Sequence, residues 1–329
     1  MQPTVQRLLF EVCRENTNEH SPRNEYKPSS VDFFIPAIAE FVGSFLLTFL
    51  DDSEISVSTR ISAISGICSY LHTVNTQLAV SLLDGVALYT LTCCLGRFSG
   101  AHFNPAQTLS VIFVGRCRLA VGLFMIFMQF LGAFLGAVYA QCILQNNTFA
   151  VAMHAAIRWS NTDIHAANRL QVENLLQNYF FMELTLSTLV CCAYLFTGVI
   201  SHGRNGALCA AIVSTARAIV TFIGYSTIGQ TSNLARTIGL ISTAYIFLAI
   251  RDEWRFIYIP FLCCLLAGSE FGMDKEKSKI SMQLMKKEVE LREHQIPIEE
   301  LCAELKTDVN MVSIMILWQF LKAIICIYG

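Results

Sequence analysis

The sequence predicts an all-α membrane protein, with six transmembrane helices and two re-entrant half-helices arranged as an inverted three-helix repeat. Three observations predict this. Apolar residues make up 54% of the 329-residue chain and charged ones only 15%, well short of the roughly 25% charged that a solvated globular surface carries; the mean hydropathy is +0.50. The apolar residues arrive in blocks close to the roughly 20 residues of helix that cross a bilayer core. Finally, two short segments with the same internal pattern recur, one in each half of the chain.

Taken in order, residues 1–32 form a polar tail with no cleavable signal pattern. The spans read as Phe33–Leu50, Gln77–Gly96, Leu119–Leu144, Gln177–Ile200, Gly206–Tyr225 and Trp254–Phe271. Few charges interrupt them, and irregular backbone cannot face lipid, so each is expected to be a helix. In the third span Gly132, Ala133, Gly136 and Ala137 stand at helix-packing spacing and predict close backbone approach. The core domain covers 33–273, with halves of about 33–144 and 177–272. Beyond it, 274–306 is charge-rich with amphipathic spacing, and Met311–Gly329 is apolar. That last stretch is expected to lie on the membrane or dock on a partner, with a seventh crossing as the alternative.

Lysine and arginine placement sets the orientation. Arg7, Arg14, Arg23 and Lys27 precede span one, Arg97, Arg116 and Arg118 follow span two, Arg204 follows span four, and Lys275, Lys277 and Lys279 follow span six. The segment from Asp51 to Asn75 holds one arginine and three acids. Both termini are therefore expected in the cytoplasm, in an integral protein of the plasma membrane. The connection Gln145–Leu176 carries Arg158 and Arg169 against this reading, but also an N-glycosylation sequon at Asn146, usable only outside the cytoplasm.

The recurring segments are Gly100-Ala101-His102-Phe103-Asn104-Pro105-Ala106-Gln107-Thr108 and Gly229-Gln230-Thr231-Ser232-Asn233-Leu234-Ala235-Arg236-Thr237. Their Gly, Asn, Ala and Thr positions coincide. Glu40 in span one is matched by Glu183 in span four. With three spans in each copy, the second must be inserted upside down.

These residues carry a family resemblance. Ser99 to Ala106 resembles the first signature loop of the aquaporins, the major intrinsic protein family, nearly residue for residue. Ser232 to Arg236 resembles the second, with Leu234 where the family has proline. Glu40 and Glu183 stand at its two buried glutamates, Gln129-Phe130-Leu131-Gly132-Ala133 resembles its third span, and Trp254 to Gly268 its sixth. The resemblance implies a passive channel for water, with small uncharged solutes such as glycerol, that excludes protons and ions and forms a homotetramer in the bilayer. Two half-helices would meet at mid-membrane, capped by Asn104 and Asn233, with partial positive charge at their N-termini. Pro105, Ala106, Leu234 and Ala235 open those helices. Gly100, Ala101 and His102, like Gly229, Gln230 and Thr231, would run extended and offer carbonyl oxygens to solutes. Glu40 and Glu183 would hold the loops by accepting backbone N–H groups; a proton-relay role is the alternative.

Alignment on the two asparagines puts Asp84, Thr221, Gln230 and Arg236 at the selectivity filter. An aromatic ring and a histidine, usual in water-selective members, are replaced by Asp84 and Thr221, which predicts a wider, more polar constriction. Arg217 lies four residues before Thr221, on the same helical face about 6 Å deeper. A lone intramembrane arginine needs a partner; either Asp84 supplies it, or Arg217 reaches the cytoplasmic side. His102, Gln107 and Thr108 are expected at the cytoplasmic vestibule, and His20, His154 and His165 in solvated loops.

Other classes fit poorly. A net charge of −2 argues against nucleic-acid binding, which needs a basic footprint. No nucleophile–base pair or cofactor loop points to an enzyme, and neither metal nor cofactor is expected. The thirteen cysteines include the adjacent pairs Cys93-Cys94, Cys191-Cys192 and Cys263-Cys264 in apolar runs, which read as small hydrophobes and not as a disulfide framework. The competing reading is a poorly conducting adhesion or scaffold protein of the same fold, its lumen plugged by Asp84 and Arg217.

Overall fold

A computed structural model of the chain describes residues 30–65, 69–144, 146–157, 169–200, 206–229, 232–250 and 257–269. The chain divides into a unit of residues 1–273 and a second of 274–329. The second unit, with the expected tail helices, and residues 1–29 lie outside the described residues.

Nine helices are formed by the described residues. In the first half they are α1 (Ser30–Ser65), α2 (Ser69–Ser99), the short α3 (Pro105–Phe113) and α4 (Leu119–Ile143). A connecting helix, α5 (Asn146–Ala156), leads to α6 (Arg169–Tyr194), which closes in a wider π-type turn over Leu195–Ile200. The second half continues with α7 (Gly206–Thr227), α8 (Leu234–Leu248) and α9 (Tyr258–Ser269). Five helices are long and apolar enough to cross a bilayer: α1, α2, α4, α6 and α7. The sixth expected span is described only as the 12 residues of α9.

Packing repeats between the halves. Helix α1 packs on α4 as α6 packs on α9, α8 rests on α4 as α3 rests on α9, and α2 packs against α7. Glycines permit these approaches. A Cβ at Gly132 would stand 2.3 Å from the Phe41 carbonyl oxygen, and one at Gly136 2.4 Å from that of Phe45, so small-residue packing joins α4 to α1 as its spacing implies. At the α8–α4 contact a Cβ on Gly239 would meet the Ala133 carbonyl at 2.8 Å.

The structure corrects the sequence reading in three places. Helix α1 runs past Leu50, so Asp51 and Asp52, assigned above to a connection, lie within it and are fully buried. The connection between the halves is partly helical: α5 inserts Phe149, Ala152, Met153 and Ala156 into a core with Val80, Ala137, Leu240 and Ile241. Consequently His154 sits half-buried on a helix and not in a solvated loop. Polar flanks hid α5, because its apolar face is only three turns long. His20 and His165 lie outside the described residues. Asn146 is exposed at the start of α5, its Oδ1 accepting from Gln141 Nε2 at 2.7 Å. The six cysteines of the adjacent pairs are free thiols.

Candidate functional site

Helices α3 and α8 meet N-terminus to N-terminus, each capped in the same way. Asn104 has extended backbone, and its Oδ1 accepts from Ala106 N at 3.0 Å; Asn233 does the same for Ala235 N at 3.2 Å. Thr108 and Thr237, four residues on, return their hydroxyls to the Asn104 and Asn233 carbonyls at 3.2 and 3.1 Å. The caps also clasp each other. Asn104 Nδ2 donates to the Ser232 carbonyl at 2.9 Å, and Asn233 Nδ2 donates to the Phe103 carbonyl at 2.8 Å. Each amide carries two N–H donors, so the clasp takes one and leaves one for a passing solute. Two helix N-termini facing each other concentrate partial positive charge at this point.

The loop before α3 is held in place at a conformational cost. Gly100, Ala101 and Phe103 have φ of 87°, 55° and 47°, so the stretch is not extended as expected; non-glycine residues adopt positive φ only where surrounding contacts impose it. Glu40 supplies those contacts: its Oε1 accepts from His102 N at 2.9 Å, and its Oε2 from Phe103 N at 2.6 Å and Gln129 Nε2 at 2.7 Å. The Gln129 amide and the His102 ring both reach Thr108 Oγ1. The Phe103 ring lies over Gly43, where a Cβ would stand 1.9 Å from it. Buried carboxylates are costly in a membrane, and three donors on one glutamate offset that cost. The Gly100 carbonyl accepts from the Tyr194 hydroxyl at 2.9 Å. With Phe103 O taken by Asn233, the carbonyls this stretch can offer to solutes are those of Ala101 and His102. Gln107 is buried beside them on α3.

Glu183 is buried on α6. Gly229, the counterpart of Gly100, also has positive φ, at 89°; Gln230 and Thr231, and with them the Gln230 filter assignment, lie outside the described residues.

Beside Asn233 lies a buried ionic network. Arg217 Nε donates to Asp84 Oδ2 at 2.9 Å, Arg217 Nη1 to Ser232 Oγ at 2.6 Å, and Thr221 Oγ1 to the same Asp84 oxygen. Asp84 is therefore the partner of Arg217, which is buried inside the helical bundle. Arg236 Nε is 3.1 Å from Asp51 Oδ2, and its Nη2 is 3.3 Å from Asp52 Oδ1. Asp51 Oδ2 is also 3.9 Å from Arg217 Nη2, so it stands between the two guanidiniums. None of these side chains is more than 4% exposed. Arg217 thus joins Asp84 and Thr221, the two residues expected to widen the constriction, in one buried hydrogen-bonded group. Asp51 and Asp52 escaped the sequence reading. A signal was present: Glu40, Ser44, Thr48 and then Asp51 and Asp52 follow helical spacing and are all buried, a polar stripe that outlasts the apolar run.

Comparison with known proteins decides the family. Residues 27–271 match the model of the major intrinsic protein family. The chain belongs to that family. Mouse aquaporin-8 is 28% identical over 72% of this chain and 79% of the relative. Aquaporin-3 of the tardigrade Milnesium tardigradum is 36% identical, but over about a third of either chain: 32% of this one and 34% of the relative. Among solved structures, the aquaglyceroporin from Plasmodium falciparum superposes with a TM-score of 0.57 at 16% identity, covering 76% of this chain and 99% of that one. That likeness establishes the shared fold. The protein is an all-α integral membrane protein of a family of channels, not of enzymes.

Proposed function

We propose that the protein is a passive channel for water, with small uncharged solutes such as glycerol, that excludes protons and ions. The observation that carries this reading is the reciprocal clasp of Asn104 and Asn233, which seats two helix N-termini against each other. A water oxygen there accepts from the remaining amide hydrogens, and its orientation breaks a chain of proton transfers. Cations meet the positive helix ends. The path is proposed to run past Gly100, Ala101 and His102 on one side of the clasp. On the other it passes a filter of Asp84, Thr221, Gln230 and Arg236, with Arg217 beside it. Glu40 and Glu183 are proposed to brace the two loops. The names of the relatives, aquaporins and an aquaglyceroporin, support water and glycerol as the solutes to test first.

The experiment is the osmotic response of proteoliposomes, first to sucrose and then to glycerol. The expected outcome is a fast volume response in sucrose and re-swelling in glycerol. Rates equal to protein-free liposomes in both would reject conduction. They would favour the second reading, a poorly conducting adhesion or scaffold protein, which the buried Asp84–Arg217 pair supports. A homotetramer in the plasma membrane, with both termini cytoplasmic and Asn146 glycosylated outside, completes the proposal.

A further inference from the structure

The acids of the ionic network come from the first half of the chain and its bases from the second. Asp51 and Asp52 stand on α1 and Asp84 on α2, while Arg217 is on α7 and Arg236 on α8. With all three carboxylates ionised, they outnumber the two guanidiniums by one negative charge. Asp51 Oδ1, Asp52 Oδ2 and Asp84 Oδ1 are buried and accept no hydrogen bond among the described residues. In surroundings that exclude water, an unbalanced charge acts far more strongly than at a surface.

An arginine alone at a constriction repels cations. Here Arg236 is bound by two acids, one of which it shares with Arg217. We propose that Asp51 and Asp52 are specificity-determining residues: they reverse the charge of the constriction, so that cations are turned back at the Asn104–Asn233 clasp and not at Arg236. The proposal rests on the reading of this path as the conducting one. It assigns the two barriers unequal work. The constriction attracts cations, and the paired helix N-termini stop them.

The test removes the second barrier and then restores the first. Asn233→Asp puts a carboxylate at the helix ends and cancels their positive charge; Asn104→Asp is the mirror variant should the first not reach the membrane. Asp51→Asn with Asp52→Asn keeps acceptor oxygens for Arg236 but changes the net charge of the network from one negative to one positive. Potassium current and osmotic water permeability are measured in oocytes, with surface protein quantified. The expected result is a potassium leak in the clasp variant that falls several-fold when the two aspartates are also replaced. A clasp variant at the surface with no cation leak overturns the proposal, because Arg236 would then suffice as the barrier. So does a leak unchanged by the two aspartate substitutions. Absence of water flux in the unmodified protein would instead reject the conduction reading itself, separately from either result.

Discussion

Asp84 and Arg217 are 133 positions apart in sequence and share a hydrogen bond of 2.9 Å. Both are ionisable residues within apolar spans, and the cost of burying either alone marks them as partners in the sequence itself. Removing one partner of a buried pair typically costs about 3–5 kcal/mol, whereas replacing both with apolar groups can be nearly neutral. Asp84→Ala is therefore expected to lower the thermal midpoint and surface expression. The loss should fall toward the low end of that range, because Asp51 and Ser232 still face Arg217. Asp84→Phe with Arg217→Val should recover folding and shift permeation toward water over glycerol. A double-mutant cycle on stability checks the coupling; harmless singles with an additive double would show that the two side chains do not depend on each other. Glu40 was legible for the same reason of cost. Asp51 and Asp52 were not, since acids just past an apolar run read equally well as the start of a solvated connection.

At the scale of elements, the junction of α3 and α8 depends on its caps more than on the residues that open the helices. Asn233 both caps α8 and clasps the first loop. Leu234 is at the first helical position, where proline is tolerated because the N–H there has no intrahelical acceptor. The Leu234 side chain is not idle, however; it packs with Ala106, Cys191, Cys264 and Ala267. Leu234→Pro is thus expected to cost some packing and keep most water permeability, while Asn233→Asp should lower water permeability further and lose cation exclusion. Stopped-flow light scattering on both variants decides, and a silent Asn233→Asp beside an inactive Leu234→Pro would overturn the capping argument. The α1–α4 contact offers a second test. A Cβ at Gly132 would collide with the Phe41 carbonyl, and overpacking of this kind costs about 1–3 kcal/mol. Gly132→Val should lower the melting midpoint in detergent, whereas Gly206→Val, at a glycine with open space around it, should leave it unchanged.

Across the whole molecule, large apolar side chains remain exposed on several helices. They include Leu78, Leu82 and Val86 on α2, Leu123 and Phe127 on α4, and Ile219 and Phe222 on α7. Lipid covers such faces in a membrane protein, and the proposed homotetramer would cover part of them with other copies of the chain. A detergent-corrected mass of four subunits is the expected result, and stable monomers that conduct fully would rule it out. The sequence by itself determined where five of the spans lie, the inverted repeat, the caps at Asn104 and Asn233 and the brace at Glu40. These features repeat, or they carry a polar cost that a bilayer punishes locally, so they leave a mark in one dimension. Only the tertiary structure decided that the two caps clasp each other, that α5 is buried, and that Asp51 and Asp52 bind Arg236. A clasp or an ion pair joins atoms from helices far apart in the chain, and its geometry depends on how closely glycines such as Gly132 and Gly239 let those helices approach. That distance is set by packing and appears nowhere in the order of the residues.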